Sequence, residues 1–168
     1  KPVDFNALVL EVLSLYGEET ATVPVHTELD DMCPRVMGAA LQLRQVIHNL
    51  LQNAQDATAP ERAHLGVILR TQWVETSGRV RLTVLDHGSG FPEHILQRAF
   101  EPYITTKEKG TGLGLAICFK LIQMHNGEIR VTSDDHSGTV FTIELPACST
   151  REIDTVRRDD ETQQDTGC

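Results

Sequence analysis

From Ala39 to Ala57 the sequence keeps Leu43, Val46, Ile47, Leu50, Leu51 and Ala54 in one apolar stripe at helical spacing, with Pro60 just beyond to end it. A helix of that kind is unstable alone and needs a second layer to cover the stripe. Alternating segments supply one. Residues 65–75 and 79–86 read as strands joined by a turn at Ser77-Gly78, and residues 127–133 and 139–145 as a second pair turning through 134–138. Residues 22–29 form a further strand, which Pro24 assigns to a sheet edge. Residues 4–16 repeat Leu8, Val9, Val12, Leu13 and Tyr16 as a helix, with Asp4 or Asn6 as its cap and Gly17 as its stop. A short helix near 93–99 and another over 113–125 complete the order α-β-α-β-β-α-α-β-β. That order predicts an α+β fold, a two-layer sandwich with helices packed on one face of a mixed β-sheet.

The chain has 168 residues, enough for one full-sized core and tight for two. At 40% hydrophobic and 23% charged it reads as globular. A formal net charge of −9 argues against a nucleic-acid partner, which needs a basic face. No apolar run approaches the ~20 residues that span a bilayer, so no membrane contact by this chain is expected. Cys33, Cys118, Cys148 and Cys168 show no CxxC pair, which predicts free thiols in a reducing cytoplasm, and the seven histidines show no zinc spacing. The start at Lys1 reads as a fragment whose upstream part is missing. The domain is expected over residues 1–146; residues 147–168 lose apolar periodicity and read as a disordered tail.

Three constellations could carry chemistry. Asn49, Asn53 and Asp56 fall at i, i+4 and i+7 on the face of the long helix opposite its apolar stripe. Carboxamide and carboxylate oxygens there can ligate Mg²⁺, or can be an ordinary solvated face. Asp86-x-Gly88-x-Gly90 ends an apolar strand. A carboxylate so placed can accept from an exocyclic amine while glycines let backbone approach a flat ligand; a tight turn needs the same residues. Gly110-Thr-Gly112-Leu-Gly114-Leu115 opens a helix after Lys107 and Lys109. Such a helix start offers N–H groups to phosphate oxygens, and a plain glycine loop is the alternative. It lacks the preceding strand and GxGxxG spacing of a dinucleotide fold, and no GxxxxGK[ST] loop occurs.

Together, and in this order, these segments resemble the catalytic ATP-binding domain of bacterial sensor histidine kinases, a Bergerat-fold group that also includes DNA gyrase, Hsp90 chaperones and MutL proteins. The resemblance covers residues 1–146 through an N box (Gln45 to Ala54), a G1 box (Asp86 to Gly90), an F box (Phe100 to Lys107), a G2 box (Gly110 to Leu115) and a closing Ser137-Gly138-Thr139-Val-Phe141 element. It implies ATP and Mg²⁺ as cofactors, Asn53 as the Mg²⁺ ligand, Asn49 beside it, and Asp86 on the adenine amino group with Gly88 and Gly90 leaving room for the base. It further implies that Thr106, Lys107, Gly110, Thr111, Gly112, Leu113, Gly114 and Leu115 surround the phosphates, that Phe91 and Ile95 line the adenine pocket, and that Thr139 and Asp56 border the site. Asn49 and Lys107 take the catalytic roles in this reading.

Two departures carry meaning. Hydrolytic relatives place a Glu where Asn49 stands; an amide takes no proton from water, so transfer to another nucleophile is favoured over hydrolysis. Asp56 stands where many such kinases have a basic residue. The wording Glu101-Pro-Tyr-Ile-Thr-Thr-Lys107 before a short lid is most similar to nitrogen-regulation (NtrB/NtrY-type) kinases. None of the histidines sits in an acceptor-like context, so the resemblance implies an upstream dimerisation and phosphoacceptor domain as partner and a response regulator downstream. The fragment itself would be monomeric and cytoplasmic, the full-length protein anchored in the inner membrane or not. The competing readings are a stand-alone serine kinase of anti-sigma type and a nucleotide-binding regulatory module without transfer.

Overall fold

The computed structural model describes residues 1–15, 23–88, 98, 100, 114–134 and 138–148. A five-stranded mixed sheet forms one layer. Its strands are β2 (Val25–Glu28), β4 (Val67–Val74), β5 (Arg79–Leu85), β6 (Glu128–Asp134) and β7 (Gly138–Pro146), in the spatial order β2-β4-β5-β7-β6. Only β2–β4 is parallel; the other three pairs are antiparallel. Three helices cover one face: α1 (Phe5–Leu13), α2 (Ala40–Ala57) and α3 (Gly114–Met124). A two-residue ribbon, β1 (Pro2–Val3) with β3 (Val36–Met37), stands apart from the main sheet.

Register explains the core. Val80, Leu82 and Val84 of β5 sit opposite Leu145, Ile143 and Phe141 of β7, and all six are buried. Because side chains alternate along a strand, this row faces the helices while its neighbours face outward. The helices answer with Phe5, Leu8, Val9 and Val12 of α1, the expected α2 stripe, and Leu115, Cys118 and Ile122 of α3. Asp4, not Asn6, caps α1, its carboxylate accepting from Ala7 N at 3.1 Å. Ser14 closes that helix, ahead of the Gly17 stop, which lies outside the described residues. The short β2 is an edge, as Pro24 implies.

The structure departs from the sequence reading in four places. Pro60 does end α2, but it also opens a 3₁₀ turn over Pro60–Leu65. Proline suits a first helical position because its missing N–H would be unpaired there anyway. The β1–β3 ribbon is too short to leave a periodicity. Ala147 and Cys148 still pair, Ala147 bridging Val36 and Cys148 N donating to Arg35 O at 2.8 Å. Finally, Cys33 and Cys118 are free but Cys148 is disulfide-bonded, which corrects the expectation of four free thiols. Pairing depends on Cα separation in space, and sequence spacing does not report that. Of the short helix expected near 93–99, all but Arg98, which lies in a turn, falls outside the described residues.

Candidate nucleotide-binding site

The strand β5 alternates to its end and delivers Asp86 to the floor of the helical layer, where the side chain is 2% exposed. One carboxylate oxygen is fixed by the chain's own backbone: Asp86 Oδ1 accepts from Gly88 N at 2.9 Å and from Thr139 N at 3.2 Å. Asp86 N in turn donates to Thr139 O at 3.0 Å, so β5 and the start of β7 hold the residue from both sides. Burial pushes the Asp86 carboxyl above its ordinary range. The two backbone donors, then His87 and Arg62, pull it back in part.

Glycines permit this closeness. A Cβ on Gly138, whose φ is +94°, would lie 2.1 Å from Asp86 O. A Cβ on Gly88 would lie 2.4 Å from Ala57 O, so the space there belongs to the end of α2 and not to a ligand. Gly114 is different: a Cβ there meets nothing within 4 Å among the described residues.

The polar face of α2 links these two ends. At its C-terminus Ala57 touches Gly88, beside Asp86. Toward the other end of α2, Val46 O accepts from Cys118 Sγ of α3 at 3.8 Å, one turn beyond Gly114. Eight residues at the helical rise separate Asn49 from Ala57, about 12 Å. Asn49 and Asn53 are half-buried along this path, while Asp56 is exposed and accepts from Gln52 Nε2 at 3.0 Å. Leu115 is buried among the core residues. Thr139 contributes its backbone to Asp86, while its hydroxyl lies 3.3 Å from Ser133 Oγ. The remaining candidates, Gly90, Phe91, Ile95, Thr106, Lys107, Gly110, Thr111, Gly112 and Leu113, lie outside the described residues.

Three neighbours of the site escaped the sequence reading. Arg62, brought in by the 3₁₀ turn, donates from Nη1 to Gly88 O at 3.5 Å. Gln55 sits in the apolar stripe but pins the chain at Val23, donating to Val23 O at 2.7 Å and accepting from Val23 N at 2.9 Å. Cys118 is buried where α3 packs on α2, its Sγ 3.8 Å from Val46 O. Only Arg62 carries a hint in sequence, as a cation placed soon after the long helix. His87 is held by its bond from Nδ1 to Gly66 O at 2.8 Å and frames the turn passively.

The donor types fit Mg²⁺: Asn49, Asn53 and Asp56 offer only oxygen and amide groups, the hard set this cation prefers. No group of three His, Cys, Asp or Glu that could hold a metal occurs among the described residues.

Residues 38–149 match the family described as histidine kinase-, DNA gyrase B- and HSP90-like ATPase. Sporulation kinase A of Bacillus subtilis (strain 168) is 37% identical over 146 residues, covering 82% of this chain and 23% of the relative. Sensor histidine kinase ZraS of Escherichia coli (strain K12) is 34% identical over 151 residues, covering 89% of this chain and 31% of the relative. Among solved structures, the catalytic domain of histidine kinase ThkA superposes with a TM-score of 0.73 at 32% identity, covering 87% of this chain and 96% of that one. Full-length ShkA in complex with AMPPNP gives 0.75 at 29% identity, covering 89% and 31%. The chain thus spans less than a third of each of these two curated relatives. With its two-layer fold, its buried strand-end carboxylate and this match over most of its length, the chain belongs to the histidine kinase-, DNA gyrase B- and HSP90-like family of ATP-binding domains.

Proposed function

We propose that this chain is the ATP- and Mg²⁺-binding catalytic domain of a two-component sensor histidine kinase. The observation that carries the proposal is the continuous path along α2. It runs from a buried carboxylate with one oxygen already committed to backbone donors, past Asn53 and Asn49, to the level where α3, described from Gly114, packs on α2 through Cys118 and Val46. A nucleotide has the same polarity: an amine-bearing base at one end and phosphates at the other. The uncommitted Asp86 oxygen accepts from the exocyclic amine of adenine, which discriminates against guanine, whose carbonyl at that position brings no donor. Asn53 holds Mg²⁺ with Asn49 beside it, and that cation offsets phosphate charge. The N–H groups at Gly114 and Leu115 meet phosphate oxygens at the positive end of α3.

Chemistry then follows from positioning. Attack by an imidazole nitrogen from outside this chain forms a P–N bond to the γ-phosphoryl as its bond to the β-phosphate oxygen breaks, leaving ADP. Asn49 cannot accept a proton, so water is not activated and the phosphoryl waits for the better nucleophile. The partner presenting that histidine is an upstream dimerisation domain, with a response regulator as the later acceptor. Two of the relatives are a sporulation kinase and a sensor kinase, which supports this reading over an anti-sigma-type serine kinase. The finer nitrogen-regulation (NtrB/NtrY-type) reading rests on the wording of residues 101–107 alone. We place the domain in the cytoplasm, where ATP is; no helix of the described residues is long and apolar enough to cross a membrane.

Calorimetric titration with ADP and AMPPNP, with and without Mg²⁺, tests this. Mg²⁺-dependent AMPPNP binding is expected, with the dependence lost in Asn53→Ala. A folded chain that binds neither nucleotide, with or without Mg²⁺, would overturn the proposal.

A further inference from the structure

The 3₁₀ turn Pro60–Leu65 joins α2 to β4, and none of its side chains is buried, so core packing does not account for its course. It is nevertheless fixed at both ends. Thr58, just before it, is buried and donates from Oγ1 to Ala54 O at 2.8 Å. Gly66, just after it, has a φ of +75°, and a Cβ there would lie 3.0 Å from Pro24 O and 2.8 Å from the His26 ring. Only glycine fits that corner, which seats the turn against the sheet edge at β2. From this footing the chain reaches the Asp86–Gly88 turn twice. His87 Nδ1 donates to Gly66 O at 2.8 Å, and Arg62 Nη1 donates to Gly88 O at 3.5 Å. The second bond is long, but its donor is ionised and still attracts the carbonyl at that range. Gly88 is at the same time pressed against Ala57 O at the end of α2. Among the described residues, the charges that act on Asp86 are those of His87 and Arg62, and both favour its ionised form.

We propose that Arg62 is a positioning residue for base recognition: by holding Gly88 O, it keeps the Asp86–Gly88 turn closed and the uncommitted Asp86 oxygen aimed at the exocyclic amine of adenine. The link is Gly88 N, one of the two backbone donors on Asp86 Oδ1; the other is Thr139 N. The torsion that turns a carboxylate is broad, so its two oxygens keep separate roles only while donors grip one of them. Release of Gly88 leaves Oδ1 with the longer bond alone, from Thr139 N at 3.2 Å, and lets the oxygens exchange. A guanidinium suits the task because it stays charged at every working pH and presents several donors in a fixed plane. The inference rests on the adenine contact proposed for Asp86. It adds to that contact a segment, residues 60–65, with no other part in the site.

The test uses this chain with Arg62→Met and Arg62→Lys. Each is titrated calorimetrically with ADP and with purine riboside diphosphate, the same nucleotide without the exocyclic amine. Methionine keeps an unbranched stem and loses the donor, while lysine keeps a charge and a donor. Arg62 is half-buried on a turn outside the core, so both variants retain the fold. Arg62→Met is expected to bind ADP about 10-fold more weakly, the size of one bond to a charged group, with purine riboside diphosphate unchanged. Arg62→Lys should recover most of the ADP affinity. A merely structural role would weaken both nucleotides together, and that result overturns the inference. Unchanged ADP affinity in Arg62→Met overturns it too, as does an Arg62→Lys variant no better on ADP than Arg62→Met. If the unsubstituted chain holds purine riboside diphosphate as tightly as ADP, the amine contact given to Asp86 fails first and takes the inference with it. If it binds neither, the proposed function itself fails.

Discussion

Asp86 holds its position with a charge that its surroundings penalise. Its folded pKa lies above its ordinary 3.8, so the native state gains from protonation relative to the unfolded chain. The stability associated with that proton is present below the unfolded value and lost as pH rises through the folded one. Nucleotide binding needs the reverse, because only the ionised carboxylate accepts from an amine without offering a competing proton. Asp86→Asn removes the charge and keeps an acceptor for Gly88 N and Thr139 N. The expected outcome at pH 7 is a melting temperature no lower than the parent's, with the stabilisation by added ADP abolished. Thermal melts with and without ADP check both parts; an unstable variant that still responds to ADP would contradict the account. At this scale the sequence was informative about which residues and less so about why. Asp86-x-Gly88 is readable as an amine site, yet Gly88 is required by the Ala57 carbonyl of a helix far away in sequence. Such a contact leaves no local pattern.

Between elements, α2 and α3 are tied at their far ends by one imidazole. Ala39, at the start of α2, has no side-chain cap of its own, and its N–H donates to His125 Nε2 at 3.0 Å. The other ring nitrogen, Nδ1, donates to Leu121 O at 2.7 Å, so the ring serves the start of one helix and the end of the other. That pairing requires the Nδ1–H tautomer. His125 follows α3 directly, and its second bond crosses to α2, a contact that neither segment alone encodes. His125→Phe keeps a ring and loses both bonds, and should cost about 1 kcal/mol in urea unfolding, the size of a lost helix cap. Unchanged stability would show that water replaces the ring at both positions. Long elements were legible because their periodicity is sustained: the α2 stripe and the β5 and β7 alternation appear as predicted. The 3₁₀ turn at Pro60–Leu65 was not, since a proline stop and a proline start look alike until the chain's path is known.

Across the whole molecule, the outer face of the sheet carries a charge cluster with its own pH signature. Glu144 of β7 is 7% exposed and accepts from Arg81 Nη2 of β5 at 3.1 Å and Arg130 Nη2 of β6 at 2.7 Å. Burial alone would raise its carboxyl, but Arg130 and Arg81 together hold it below the ordinary 4.5. The sign is opposite to that of Asp86. The stability Glu144 contributes is present above about 4.5 and lost as pH falls through its lower folded value. Glu144→Gln should cost about 1 kcal/mol at pH 7, discounted for the partial exposure of both arginines, with the difference from the parent closing in acid. Denaturation followed from pH 7 to pH 3 measures it, and a constant difference would show that packing, not charge, is what the glutamate supplies.

The neighbour relation of β5 and β7 has a consequence for how such a domain changes over time. Leu85 pairs with Val140 and Arg79 with Pro146, so the central seam closes between strands that flank everything from Asp86 to Asp134 in the chain. Closing a longer chain between fixed anchors costs only the logarithm of its length, about 0.6 kcal/mol for each doubling. In closure entropy alone, insertions between Asp86 and Gly114 would therefore be cheap while the seam stays zipped, provided Phe100 keeps its stacking on Phe119. Lineages can retune ligand contact there without renegotiating the fold, and a reporter peptide spliced into that stretch has the same licence.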